Sequence, residues 1–151
     1  MTHPVSIRLA LLAERAPLEA LQWRASLANP GDHESLLANP DAISLPAGQI
    51  ASALIVVAER KGVIVGFAAM RARDDAEREL DGLFVEPQHW TQGIGRTLVD
   101  HCIAEARASG CSVLNVVANP QAAGFYKACG FKHAGHQATR FGPGLLMRKK
   151  L

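Results

Sequence analysis

Apolar and polar positions alternate along this chain with two different periods, one typical of helices and one typical of strands. The clearest helical pattern covers residues 94–106, where apolar side chains recur at helical spacing and form one face, and Gly110 follows as a stop signal. Just before it, the short apolar run at residues 80–85 predicts a buried strand. Pro87 ends this strand, because proline has no N–H to donate to a sheet ladder. Residues 79–110 are therefore expected to form a strand, a loop and a long helix.

Weaker patterns place further strands and helices on both sides of this stretch. A turn is expected at Lys61-Gly62, Asn119-Pro120 supplies a helix cap with a first-turn proline, and Gly130 ends that helix. The expected elements are strands at 5–9, 54–59, 63–71, 111–118, 131–138 and 145–148, helices at 16–28, 33–38 and 120–129, and a loop at 39–50. This order predicts an α/β fold with a mixed sheet, in which antiparallel hairpins lie early and late and right-handed helix crossovers lie near the middle.

The length of 151 residues is that of one ordinary domain, so we expect a single domain over residues 1–151. The net charge of +2 is too small to indicate a nucleic-acid partner, and the basic run Arg148-Lys149-Lys150 is more simply a solvated chain end. No apolar stretch reaches the length of a membrane span, and the apolar patch at residues 9–12 is too short for a signal peptide. We therefore expect neither a membrane nor a nucleic acid as a partner.

The chain has three cysteines and six histidines, and neither set has the spacing of a metal site. The cysteines are odd in number and scattered, which is typical of reduced core residues, so a cytoplasmic location is expected. His133 and His136 lie three positions apart in a predicted strand, where they should face opposite sides of the sheet. We therefore expect no metal.

The loop before the long helix contains Gln92-Gly93-Ile94-Gly95. At a helix N-terminus the first N–H groups are unpaired and the dipole is positive, so a phosphate group would bind well there. A nucleotide P-loop is excluded because Arg96-Thr97 stands where that motif requires Lys followed by Ser or Thr. A dinucleotide-binding fingerprint needs a third glycine where this chain has Leu98. The third interpretation is a site for the pyrophosphate of an acyl-CoA.

Two motifs support this third interpretation. Leu83-Phe84-Val85, Pro87 and the run from Gln92 to Arg96 resemble the first signature of the GNAT superfamily of acyl-CoA-dependent N-acetyltransferases. The segment from Asn119-Pro120 through Phe125-Tyr126 to Gly130-Phe131 is similar to the second signature of that family. Trp90 and Thr91 depart from the pattern, since the family usually has Arg or Gln and then often Gly. The resemblance implies a sheet of six to seven strands flanked by about four helices, with two splayed parallel strands that bind CoA.

The resemblance also implies which residues contact acetyl-CoA, the acyl donor. A β-bulge near Gly82 would leave the Leu83 N–H to polarise the thioester carbonyl, and Val85 would pair with the pantetheine amides. A simpler interpretation of Gly82 is that it relieves crowding in the strand. The expected cofactor contacts are Leu83, Phe84, Val85, Gln92, Gly93, Ile94, Gly95, Arg96, Thr97, Asn119 and Tyr126.

Three polar side chains have both a structural and a chemical interpretation. Tyr126 either packs beside Phe125 or acts as the general acid toward the CoA thiolate, whose pKa of about 8.5 lies near that of tyrosine, about 10. Asn119 is a good helix N-cap and also stands where the family places an Asn near the cofactor. Glu79 is either a solvated strand residue or the base that takes a proton from the attacking amine.

The predicted function is transfer of an acetyl group from acetyl-CoA to a primary amine by direct attack in a ternary complex. The alternative is a non-catalytic acyl-CoA-binding module that regulates a partner, and a longer acyl donor such as succinyl also stays open. The acceptor, a small molecule or a peptide, would be shaped by residues 16–38 and 138–144, with Trp23, Arg24 and His33 as candidate liners. Nearby carboxylates, including Glu86, favour a cationic amine. Assembly as a homodimer is left open.

Overall fold

The computed structural model describes residues 4–29, 33–39, 41–140 and 142–151. Within this part the chain forms seven strands, β1 Ser6–Leu9, β2 Ile55–Arg60, β3 Val63–Ala72, β4 Glu77–Val85, β5 Val113–Ala118, β6 Lys132–Thr139 and β7 Gly142–Lys150. The α-helices are α1 Arg15–Leu27, α2 His33–Ala38, α3 Ala47–Ala51, α4 Ile94–Ala108 and α5 Ala123–Ala128. Short 3-10 turns at Leu12–Glu14, Pro87–His89 and Pro120–Ala122 lead into later elements.

The strands are ordered β1-β2-β3-β4-β5-β7-β6 in one mixed sheet. Strands β4 and β5 are parallel, with α4 as the crossover between them, whereas β1–β2, β2–β3, β5–β7 and β6–β7 are antiparallel. The expected α/β fold with a mixed sheet and parallel strands around a helical crossover is therefore confirmed.

One part of the predicted element order is wrong. The expected loop at 39–50 contains the start of α3, a single helical turn that follows Pro46. Ile50 is 5% exposed and packs in a core cluster with Leu18 and Leu21, so tertiary burial overrides the helix-breaking signals around it. Pro40 of the same expected loop and Phe141, between the last two strands, lie outside the described residues.

The chain divides into two compact units, one formed by Met1–Ala69 with Gly82–Leu98 and the other by Met70–Asp81 with Val99–Leu151. We call them unit 1 and unit 2. The expectation of a single domain over residues 1–151 stays a prediction.

Unit 1 is built on a core between its strands and its N-terminal helices. Val57 and Phe67 are fully buried, and the Phe67 ring lies 5.3 Å from the ring of Phe84. Burial of a large apolar side chain stabilises the fold by about 1.5–3 kcal/mol, so this cluster fixes β2, β3 and the end of β4 as a rigid group. The hairpin between β2 and β3 turns at Lys61 and Gly62, both with positive φ (52° and 78°), as the sequence predicts.

Unit 2 is built on β5 and the apolar face of α4. Leu114 in β5 and Val99, Cys102 and Ala106 in α4 are fully buried, so the predicted apolar face of the long helix is confirmed. The helix ends before Gly110, which has the left-handed φ of 85° that a stop signal requires.

The expectation that His133 and His136 face opposite sides of the sheet is wrong. The β6–β7 pairing shifts register between His133 and Gly135, which inserts one extra residue into β6. The two imidazole rings therefore lie near each other, with centroids 5.1 Å apart. Across the described residues, no group of three or more His, Cys, Asp and Glu side chains could hold a metal ion.

Candidate functional site

The C-terminal half of β4 has one edge against β3. The N–H of Glu86 donates to the Val65 carbonyl at 2.9 Å, and a Cβ added to Gly66 would lie 3.0 Å from the Phe84 carbonyl oxygen. Alternate residues of a strand direct their peptide groups to opposite edges. Leu83 and Val85 therefore direct theirs away from β3, which is the orientation that a donor to a ligand at this edge needs.

Gly82 has a packing role in the same half-strand. A Cβ added there would lie 2.7 Å from the Phe84 ring, so the ring folds over the bare glycine backbone. This contact supports the simpler interpretation of Gly82, relief of crowding. The bulge near Gly82 stays a prediction.

The entrance of α4 has the geometry of an anion site. Gly93 has φ of 82°, and its carbonyl accepts both the N–H and the hydroxyl of Thr97 at 3.0 Å. The N–H groups of Ile94 and Gly95 precede this first intrahelical bond, so they have no partner within the helix. A Cβ added to Gly93 would meet no atom within 4 Å, so the space around the helix entrance is open. Backbone donors and a positive dipole thus meet at an accessible point.

The loop between β4 and α4 is fixed from two sides by arginines that lie far away in the sequence. Arg24 of α1 binds Glu86 through two hydrogen bonds of 3.0 and 2.8 Å. Arg60, the last residue of β2, donates to the Gln92 side chain at 2.7 Å. Sequence reasoning missed Arg60, because no local signal links it to this loop. Arg24 forms an ion pair with Glu86, which weakens the argument that Glu86 favours a cationic acceptor. The role of Arg24 as an acceptor liner stays a prediction.

The two residues that depart from the family pattern have definite roles in the loop. The indole N–H of Trp90 donates to the Val85 carbonyl at 2.8 Å, while the residue is 42% exposed. Thr91 has φ of 65°, in the left-handed region that a β-branched residue rarely adopts. The backbone at this position thus explains why glycine would suit it.

Glu79 lies in unit 2, and its environment is more enclosed than that of a solvated strand residue. It is 7% exposed, and its Oε2 accepts a hydrogen bond of 2.6 Å from Arg71. The other carboxylate oxygen of Glu79, Oε1, is the one that could accept a proton. In the parallel ladder Glu79 pairs with Asn115, which is fully buried and hydrogen-bonded to Glu77 and Arg148. Unit 2 also has a cavity of about 270 Å³, lined by Arg73, Asp74, Glu77, Asn115, Leu146 and Arg148, none of which was predicted as a site residue.

Tyr126 lies in α5 of unit 2 with 8% of its surface exposed. Its ring packs edge-on against Phe125 and Phe131, with centroids 5.0 and 5.6 Å away. Burial, with a smaller contribution from Cys129, raises the pKa of the Tyr126 hydroxyl above its ordinary value, so the phenol keeps its proton at neutral pH. That protonation state is the one a general acid needs.

Asn119 acts as the predicted N-cap. Its side-chain oxygen accepts the Ala122 N–H at 2.9 Å, a contact that typically stabilises a helix start by about 1 kcal/mol. The predicted site residues thus fall into two groups. Leu83, Phe84, Val85 and the run from Gln92 to Thr97 lie together in unit 1, and Glu79, Asn119 and Tyr126 lie in unit 2. The side chain of His33 lies outside the described part of the structure.

Comparison with known proteins places this geometry in context. A family model described as "Acetyltransferase (GNAT) family" matches residues 18–131. Peptidyl-lysine N-acetyltransferase YjaB of Salmonella typhimurium is 43% identical over 56 residues, a match that covers 37% of this chain and 37% of that protein.

Solved structures resemble the whole chain. A GCN5-related N-acetyltransferase from Rhodopseudomonas palustris has a TM-score of 0.78 at 24% identity, with 100% of this chain and 98% of that chain covered. The PaiA N-acetyltransferase from Thermoplasma acidophilum, solved with coenzyme A, has a TM-score of 0.77 at 19% identity, with 97% and 99% covered. At these identities the likeness shows the fold alone.

Proposed function

Because the chain belongs to the acetyltransferase (GNAT) family, we propose that it transfers an acetyl group from acetyl-CoA to a primary amine by direct attack in a ternary complex. The observation that supports the proposal is the open entrance of α4 at Gly93, where the N–H groups of Ile94 and Gly95 have no partner within the helix. The PaiA structure, which has this fold, contains coenzyme A. In the proposal the helix entrance binds the pyrophosphate, and Gln92, Arg96 and Thr97 complete the loop around it.

The backbone of β4 holds the acyl arm in this proposal. Leu83 and Val85 direct their peptide groups away from β3, so the Leu83 N–H can donate to the thioester carbonyl as negative charge develops on its oxygen. The Val85 N–H donates to an amide carbonyl of the pantetheine arm, since the Val85 carbonyl already accepts the Trp90 indole N–H, and Phe84 is fixed by the Phe67 ring. A donor on a packed strand needs no reorganisation during the reaction, which is what makes such a donor effective.

Two side chains move protons. Tyr126 protonates the departing sulfur, and its burial keeps the phenol neutral until then. Glu79 accepts a proton from the amine through Oε1, while Arg71 holds Oε2 and so fixes the orientation of the carboxylate. The amine must be neutral to attack, so an oriented acceptor of this kind is needed. Asn119 caps the turn that leads into α5 and supports Tyr126 there.

We propose a lysine side chain of a peptide or protein as the first acceptor to test. The support is the similarity to YjaB, a peptidyl-lysine N-acetyltransferase that matches 37% of this chain. Small amines, amino acids and protein N-termini are the other acceptor classes. We also propose a reducing, cytoplasmic location, because the three cysteines are unpaired.

Among the described residues, no helix is long and apolar enough to cross a membrane.

The experiment is a release assay for CoA thiol with acetyl-CoA and a panel of amines. The panel contains lysine peptides, N-terminal peptides, free amino acids and small polyamines, and mass spectrometry of each product identifies the acetylated amine. Thiol release that requires one class of amine supports the proposal. Tight CoA binding without turnover for any amine would instead make the chain a binding module.

A further inference from the structure

Arg60 contacts the loop between β4 and α4 although it lies in a different part of the chain. Its guanidinium Nη1 donates to Oε1 of Gln92 at 2.7 Å and lies 3.4 Å from Nδ1 of His89. Gln92 and His89 both belong to the loop between β4 and α4. Neither the family resemblance nor the comparisons assign a role to Arg60.

The backbone of Arg60 is held rigidly. It pairs with Val63 directly beside the two-residue turn of the β2–β3 hairpin. The register shifts between Ala58 and Glu59, which places an extra residue, Val65, in β3. The Val65 carbonyl in turn accepts the N–H of Glu86 at the start of the loop. The irregular end of this hairpin therefore meets the loop at two points, Glu86 and Gln92.

The loop needs such support because its conformation is strained. Gln92 lies between Thr91 and Gly93, whose φ angles are 65° and 82°. A β-branched residue in this region costs about 1–2 kcal/mol, so the free loop would prefer another conformation. Strained backbone persists only where surrounding contacts hold it. Arg60 makes a charge-assisted hydrogen bond to Gln92, which lies between the two left-handed residues, Thr91 and Gly93.

We propose that Arg60 is a positioning residue for acyl-CoA, which holds Gln92 so that the entrance of α4 keeps its phosphate-binding conformation. This inference rests on the proposed function, and it names a residue that acts through the loop and not on the thioester. Its effect should therefore depend on whether the acyl donor carries a pyrophosphate.

The test compares two donors on the full chain. Arg60→Met keeps the apolar stem and removes the guanidinium. A lost hydrogen bond to a charged group corresponds to roughly a ten-fold effect, so we expect KM for acetyl-CoA to rise about ten-fold with kcat little changed. KM for acetyl-pantetheine, a thioester that lacks the pyrophosphate, should not change. An equal rise for both donors, or no rise for acetyl-CoA, overturns the inference.

Control variants separate positioning from charge. Lys61→Met removes the same charge from the neighbouring exposed turn residue and should leave both KM values unchanged. Arg60→Lys keeps the charge but not a donor at the position of Nη1, so it should behave like Arg60→Met, and full rescue by lysine would overturn the positioning role. Gln92→Met should raise KM for acetyl-CoA at least as much as Arg60→Met, because Gln92 is also an expected cofactor contact. The double variant should be no worse than Gln92→Met alone, whereas additive losses would contradict action through Gln92.

Calorimetric titration with CoA and thermal unfolding complete the design. Wild-type chain that fails to bind CoA would refute the proposed function, and this inference with it. If the wild-type chain binds CoA and an equally stable Arg60→Met variant binds it equally well, this inference alone is refuted.

Discussion

Replacement of Thr91 by glycine should stabilise this protein, although it removes a side chain. Thr91 has φ of 65°, where a β-branched residue costs about 1–2 kcal/mol relative to a residue without Cβ strain. Glycine loses more backbone entropy on folding, by about 0.5–1 kcal/mol, and this offsets part of the gain. The difference between these two ranges is about 0–1.5 kcal/mol, so the net stabilisation expected for Thr91→Gly centres on about 0.5–1 kcal/mol. For a chain of this size that corresponds to a rise in Tm of about 1–4 °C.

Thermal and urea unfolding followed by circular dichroism would measure this change. The urea midpoint should rise with an unchanged slope, which shows a change of stability and not of unfolding mechanism. Ala53, with φ of 60°, provides a comparison because it has the same backbone conformation without β-branching. Ala53→Gly should therefore gain less than Thr91→Gly. Thr91→Asn should fall between threonine and glycine, because Asn tolerates the left-handed region.

The result that refutes this reasoning is a lower stability of Thr91→Gly. It would mean that the left-handed conformation of Thr91 costs less than the backbone entropy of glycine, and the strain argument for Arg60 would lose its basis as well.

Further predictions concern unit 2. Tyr126→Phe should lower kcat by about 10²-fold or more with little change in acetyl-CoA affinity, and equal turnover would exclude the general-acid role. Glu79→Gln should depress the rate mainly at low pH with partial recovery as pH rises, and an unchanged pH profile would argue against a base at this position. Burial raises the pKa of the Cys102 thiol from 9.0 to about 12. The thiol therefore ionises at lower pH in the unfolded chain than in the folded chain, and the free energy of unfolding should fall as pH rises from 9 toward 12. In native protein, alkylation followed by mass spectrometry should label the half-buried Cys111 before Cys102, and labelling of Cys102 first would contradict its burial. Gly144→Ala should lower the free energy of unfolding by about 1–3 kcal/mol, because the added Cβ would lie 2.8 Å from the backbone oxygen of Gln137. A urea midpoint equal to that of the wild type would show that the strands can adjust.

The strand, loop and helix around Gly93 could be predicted because their signals are local. The apolar period of α4, the proline after β4 and the glycines at the helix entrance all act within a few residues. The α3 turn could not be predicted in the same way, since Ile50 is helical through its packing against Leu18 and Leu21, which lie far away in the sequence. The contact between His133 and His136 depends on one inserted residue, which leaves no trace in the alternation of polar and apolar positions.

The site shows the same division between local and remote causes. The position of the loop between β4 and α4 follows from Gly93 and Pro87, but its contact with Arg60 comes from a residue 32 positions before Gln92. A basic residue at the end of a strand has no signature that distinguishes it from an ordinary surface arginine. Only the register of the β2–β3 hairpin brings it to the loop.

The departures at Trp90 and Thr91 then have one physical explanation. The Trp90 indole N–H donates to the Val85 carbonyl, and Thr91 takes the left-handed turn that returns the chain to Gln92. A loop with glycine at position 91 would reach the same turn without strain and would need less support. This chain has threonine there and places Arg60 against the next residue, so the strained position and its support are best understood as parts of one arrangement. The two should therefore couple in a double-mutant cycle, with Arg60→Met less harmful to acetyl-CoA binding when residue 91 is glycine.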